Sequence, residues 1–168
     1  YTQAYTLSLH DALPISGRIY REKILMNHIN NIADQFDYIV LDCPPTLGVL
    51  AINAIYSADM ILIPINYGRY ALDGMADLLS SIKEIKDGQN YNFYILRNQY
   101  DRRNKQTNKY IHSVLGDFEK NLLATLIRKN ESINQAQING VPVRIFDSTC
   151  NGTQDFAHLT EEVLLNAA

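Results

Sequence analysis

The sequence predicts an α/β fold, a mostly parallel sheet with helices on both faces. Three observations predict it. Short, continuous apolar runs at 38–41, 60–65, 93–96 and 122–127 read as strands buried on both faces, because they lack the alternation of a half-solvated strand. Stretches with apolar residues at helical spacing separate them, and strands that alternate with helices form a parallel sheet. The chain has 168 residues, 46% of them hydrophobic, which suffices for one real core and excludes an intrinsically disordered chain.

Taken in order, 18–35 carries Ile19, Ile24, Leu25, Ile29, Ile32 and Ala33 close to helical spacing. The strand at 38–41 stops at Asp42-Cys43-Pro44-Pro45, since proline has no N–H for a ladder. A helix follows over 47–57, and the second strand, 60–65, contains Pro64 near its end. The helix over 71–86 sets Leu72, Met75, Leu78, Leu79, Ile82 and Ile85 on one side and stops at Asp87-Gly88. After the strand at 93–96 come a helix over 107–116, the strand at 122–127, a short helix over 132–138 and a closing helix over 153–166.

Residues 1–16 stand apart. The run 5–15, YTLSLHDALPI, resembles one translated frame of a short-read sequencing adapter, and a basic leader is missing from it. The expectation is an artefactual leader over 1–16, with the genuine domain at 17–168 and a truncated reading frame, because the chain opens on Tyr1 and not Met.

Composition excludes several classes. The net charge of -3 argues against a generally basic nucleic-acid binder but leaves room for a local basic face. No stretch approaches the roughly 20 apolar residues of a membrane span. Two cysteines, Cys43 and Cys150, cannot form a disulfide framework, so a reducing cytoplasm is expected. Cys43 has no His partner for thiol catalysis, and His28, His112 and His158 lack metal-ligand spacing.

The chemistry sits where the first predicted strand stops. Ligands bind outside the carboxyl ends of strands in open parallel sheets, and Phe36-Asp37-Tyr38-Ile39-Val40-Leu41-Asp42 delivers a carboxylate there. This is the form of a Walker B element, whose Asp orients the water shell of a nucleotide-bound Mg²⁺. Taken alone, the pattern also fits a turn-forming Asp ahead of proline.

The residues that follow are more specific. Asp42-Cys43-Pro44-Pro45-Thr46-Leu47-Gly48, then Asn53-Ala54, Ala58-Asp59, Ile63-Pro64, Tyr70-Ala71-Leu72-Asp73-Gly74 and Gly140-Val141-Pro142-Val143, resemble the ParA/MinD family of partitioning ATPases, in its ParA (Soj-like) branch. The resemblance implies a P-loop NTPase-like fold of the deviant Walker type, ATP and Mg²⁺ as cofactors, and an ATP-dependent homodimer. It further implies non-specific DNA binding, a ParB-like centromere-binding partner and a nucleoid-associated place in the cytoplasm. Asp42 would hold the Mg²⁺ shell and position the attacking water, and Pro44 and Pro45 would shape the loop that senses the γ-phosphate. Asn98 would hydrogen-bond the adenine or, equally, cap a turn. Pro142 and Val143 would pack along the adenine or simply form a turn.

The departures define the rest. No Gly-rich string with Lys-Ser/Thr occurs, so the phosphate-cradling loop is absent from the sequence, and the expected fold lacks its N-terminal P-loop unit. Gly68 stands where family members usually carry Glu, and Ser132 replaces a familiar basic position. DNA contacts are expected at Arg128 and Lys129, and at Arg102 and Arg103 with Lys105 and Lys109, although charge runs are more often plain solvated faces. A MinD-like membrane ATPase would need a basic amphipathic C-terminal helix, whereas the tail over 159–168 has Glu161 and Glu162 and no Lys or Arg. A non-enzymatic adaptor on the same fold is the other alternative.

Overall fold

The computed structural model describes residues 4–8, 23–67 and 69–167. In chain order it holds β1 (Ala4–Ser8), α1 (Ile24–Asn30), β2 (Tyr38–Asp42), α2 (Val49–Ser57), β3 (Met60–Asn66), α3 (Arg69–Lys86), β4 (Asn92–Tyr100), α4 (Lys105–Leu115), β5 (Leu122–Arg128), α5 (Glu131–Ile138), α6 (Val143–Phe146) and α7 (Asn151–Ala167). Every described strand pair is parallel, as the apolar runs predict. The chain forms two compact units, Tyr1–Asp59 with Ser80–Tyr91, and Met60–Leu79 with Asn92–Ala168.

In the first unit β1 pairs with β2, from Ala4 opposite Tyr38 to Ser8 opposite Asp42. This strand falls inside the segment 1–16, where an artefactual leader is expected. Its Tyr, Thr and Leu residues favour a strand, and an open ladder edge is a template for such a segment. Residues 9–16 lie outside those described. The core here joins Leu25 of α1 to Ala54 of α2, with Ile29, Leu50 and Leu41 of β2 packed around them. The helix expected over 18–35 is shorter. Residues 18–22 lie outside those described, and α1 gives way after Asn30 to a single 3₁₀ turn over Ala33–Gln35. Asn30 and Asn31 compete poorly for helix at that end.

In the second unit the order is β3-β4-β5. Leu96 of β4, Leu123 and Ile127 of β5 and Leu159 of α7 form its core cluster, with Tyr94, Ile133 and Val163 against it. Ile63 and Ile65 of β3 are buried on one face, while Leu62, Pro64 and Asn66 face outward. The expected burial on both faces thus holds for one face of β3 only. Pro64, which offers no ladder donor, is tolerated in β3, at the end of the order β3-β4-β5.

The largest difference from the sequence reading is in β4, which runs to Tyr100, four residues past the apolar stretch. Its pairing with β5 shifts register between Arg97 and Tyr100, and Gln99 there takes a left-handed φ of 55°. A second shift lies between Ile95 and Arg97, where the guanidinium of Arg97 donates to the carbonyls of Leu123 and Ala124 at 2.8 and 2.9 Å. From the other side, the Glu162 carboxylate of α7 accepts from the N–H groups of Ala124 and Thr125 at 2.7 and 2.8 Å. The irregular β5 backbone thus finds partners in Arg97 of β4 and Glu162 of α7.

Candidate functional site

Asp42 is the last residue of β2 and is exposed. Apolar residues drive Ile39 and Leu41 inward along β2, and the alternation leaves Val40 and Asp42 on the open face. Cys43-Pro44-Pro45 breaks the ladder, with Pro44 half-buried and Pro45 exposed, and α2 begins at Val49 after Gly48. A carboxylate at the carboxyl end of a parallel strand, followed by a tight loop and a helix N-terminus, is where an oxyanion and its cation can be received. Burial, and then the neighbouring Asp42 charge, push the Cys43 thiol up from its ordinary value. That disfavours the thiolate.

Two polar groups of this unit that the sequence reading did not assign are structural. Asn53 is 1% exposed; its Oδ1 accepts from Leu25 N–H at 3.2 Å, and its Nδ2 donates to the Val49 carbonyl at 2.8 Å. It ties α1 to α2. Lys86 is buried, and its ammonium donates to the carbonyls of Tyr56 and Ala58 at the end of α2. A cation there complements the helix C-terminus. Burial lowers its pKa, against the raising effect of Asp59.

Of the other candidate residues, all in the second unit, Asn98 lies near the carboxyl end of β4. Asn98 lies directly opposite Asn66, and its Nδ2 donates to Asn66 Oδ1 at 3.1 Å. Tyr67 and Tyr100 meet edge to face beside them, with ring centroids 5.2 Å apart. Pro142 is the residue ahead of α6 and its carbonyl accepts from Ile145 and Phe146, so Pro142 and Val143 open a one-turn helix where the sequence suggested a loop. Gly140, at φ +64°, makes the preceding turn at the end of α5. Asp147 closes the segment: it accepts from Ser132 Oγ at 3.0 Å and from the N–H groups of Thr149 and Cys150, each at 3.1 Å. Those bonds hold its carboxyl below the usual range.

The basic candidates divide by partner. Arg128 grips Asp155 through several contacts, the shortest 2.6 Å, and its own N–H also donates to Asp155. The guanidinium is thereby anchored on α7, and Asp155 is 5% exposed. Arg103 pairs with Asp101 at 2.7 Å and holds that carboxyl down to about 2. Lys129, Arg102, Lys105 and Lys109 are exposed. Among the described residues no three His, Cys, Asp or Glu side chains gather as a metal cluster. No described helix is long and apolar enough to cross a membrane.

Residues 7–95 match the model of an AAA-domain family. The chromosome-partitioning ATPase Soj of Treponema pallidum is 29% identical over 147 residues, which cover 86% of this chain and 58% of that protein. The chromosome partitioning protein ParA of Myxococcus xanthus is 31% identical over 147 residues, 86% of this chain and 52% of the relative. The chain thus spans little more than half the length of these relatives. Among solved structures, the septum site-determining protein MinD from Pyrococcus horikoshii, complexed with Mg-ADP, superposes with a TM-score of 0.66 at 22% identity, over 84% of this chain and 56% of that one.

Proposed function

The chain belongs to the ParA/MinD family of partitioning ATPases, and we propose that it forms the C-terminal part of one that segregates DNA. The observation that carries this reading is Asp42, exposed at the carboxyl end of β2 and followed at once by the Pro44-Pro45 loop and α2. ATP and Mg²⁺ are the cofactors proposed. Mg²⁺ prefers one or two carboxylates together with water and phosphate oxygens, and a lone exposed Asp suits that preference better than a closed cage would. When bound, Mg²⁺ would neutralise charge on the nucleotide phosphates.

The chain's own residues then act as follows. Asp42 holds the cation's water shell, Pro44 and Pro45 stiffen the loop next to it, and Asn98 with the Pro142–Val143 turn receives the adenine. The phosphate cradle comes from a P-loop unit outside residues 17–168. A homodimer formed with ATP binds DNA without sequence preference, through Lys129, Arg102 and Arg103, with Arg128 anchoring that rim, and a ParB-like partner stimulates hydrolysis. Residues 1–16 are proposed to be foreign to the domain and the protein to be cytoplasmic. A membrane-surface role for α7 is disfavoured because its Leu159 is in the core and its Glu162 is bonded to β5.

Asp42→Ala in the whole protein tests the reading. Hydrolysis should fall at least about a hundredfold, the scale of losing a main electrostatic group, with an unchanged circular dichroism spectrum. Near-normal turnover would overturn the assignment. Residues 17–168 alone should bind no Mg-ATP at micromolar concentration in calorimetry, and micromolar affinity would contradict the placement of the cradle elsewhere.

A further inference from the structure

Asp147, the residue that ends α6, gathers hydrogen bonds from α5 and from the chain leading into α7. Its carboxylate accepts from Ser132 Oγ and Thr149 Oγ1, both at 3.0 Å, and from the N–H groups of Thr149 and Cys150, both at 3.1 Å. Its carbonyl accepts from Thr153 Oγ1 at 2.7 Å, and its own N–H donates to the Val143 carbonyl at 2.8 Å. An ionised carboxylate only accepts, so the sense of each of its bonds is fixed. The first turns of α5 and α7 come close to each other here: a Cβ on Gly152 would stand 2.7 Å from Ile133 Cγ1. No residue of α6 is buried, and Ile145 and Phe146 are exposed, so hydrophobic packing does not fix this turn. Its upstream end is tied to α5, where Val141 N–H donates to the Ala136 carbonyl at 3.1 Å, and its downstream end is tied by Asp147.

We propose that Asp147 is a positioning residue for the nucleotide base, holding the Pro142–Val143 turn at the separation from which its apolar side chains meet the ring. This rests on the reading of that turn as an adenine contact. Packing along a flat ring is sensitive to separation, since a gap of about 0.5–1 Å forfeits a quarter to a half of the dispersion attraction. A turn without a buried side chain cannot hold that tolerance through a core, so its polar anchor sets it. Ser132, which stands where family members carry a basic side chain, supplies the α5 end of the anchor through its hydroxyl. Removing the carboxylate leaves the Thr153 bond to the backbone but releases the turn from α5 and from the loop that leads into α7.

The test compares Mg-ATP with magnesium tripolyphosphate, which has the phosphates and no base, each displacing a fluorescent ATP analogue from the whole protein. A misplaced turn reduces the advantage of ATP over tripolyphosphate, whereas general damage to the fold weakens both alike. Asp147→Ala should cut that advantage about tenfold, the lower end of the loss seen when a group that orients a ligating side chain is removed. Ser132→Ala takes away a single hydrogen bond and should cut it about threefold. Ser132→Thr keeps the hydroxyl and should keep the advantage. Pro142→Ser combined with Val143→Ser removes the contact itself and should reduce the advantage at least as far as Asp147→Ala does. If that double variant leaves it unchanged, the reading of the turn fails. If the double variant lowers it while Asp147→Ala and Ser132→Ala do not, the role of Asp147 alone fails. Equal weakening of ATP and tripolyphosphate by Asp147→Ala would also overturn that role. Should Asp147→Ala not fold, Ser132→Ala against Ser132→Thr decides by the same ratio.

Discussion

Asn53 carries an acceptor that the backbone of another helix depends on. Leu25 is at the start of α1, where N–H groups have no partner within the helix, and its N–H finds Asn53 Oδ1 in a buried setting. Asn53→Ala should therefore cost about 1–3 kcal/mol, the usual penalty of a stranded buried donor, read as a lower urea midpoint with unchanged slope. Glu162 makes a second prediction through pH. Burial raises its pKa, but the bonds from Thr125 and Ala124 and the charge of Arg97 outweigh it, so the folded value lies below the ordinary one. A depressed carboxyl stabilises the fold above its unfolded pKa and loses that contribution as pH falls through the folded value. Asp147 is depressed in the same direction, and Asp101 falls from 3.8 to about 2. Stability should be flat at neutral pH and decline through the acid range down to about 2, and Glu162→Gln should make the decline shallower. A urea midpoint series against pH measures both.

At the scale of elements, α7 closes the second unit by burying Leu159 against β4 and β5. Leu159→Ala should cost about 2–5 kcal/mol, as large-to-small changes in cores do, and thermal melting will show it. Most elements were legible in the sequence, and the reason is the apolar run. β2 and β3 were read to within one residue, because Tyr38 to Leu41 and Met60 to Ile65 are continuous and flanked by breakers. The end of β4 was not legible as strand, since Arg97, Asn98, Gln99 and Tyr100 carry no apolar pattern, and their pairing is sustained by side-chain bonds to carbonyls and to Asn66. The one-turn α6 is too short for any periodicity to announce it. The candidate site divided in the same way. Asp42 was visible because it ends an apolar run, whereas the tie between Arg128 and Asp155 spans 27 residues of sequence and has no local signature.

For the molecule as a whole, the proposed DNA binding is a matter of electrostatics. The sequence is acidic in total, so any DNA binding must come from a local cluster. Lys129→Ala should weaken binding of the ATP-bound whole protein to unrelated duplexes by a similar factor for each, and reduce the salt slope by about one. Fluorescence anisotropy at several salt concentrations will show this, and a loss confined to one duplex sequence would contradict non-specific contact. Arg128→Ala should act differently, lowering stability as well, because Asp155 would be left buried without its partner.

The hold of α7 on β5 also bears on how this protein meets copies of itself. Three N–H groups of β5, those of Ala124, Thr125 and Arg128, are already spoken for by Glu162 and Asp155. A stray strand arriving at that border finds its anchoring points taken, so β-type self-association has no foothold there. Neutralising both carboxylates would free those N–H groups and unlatch the border.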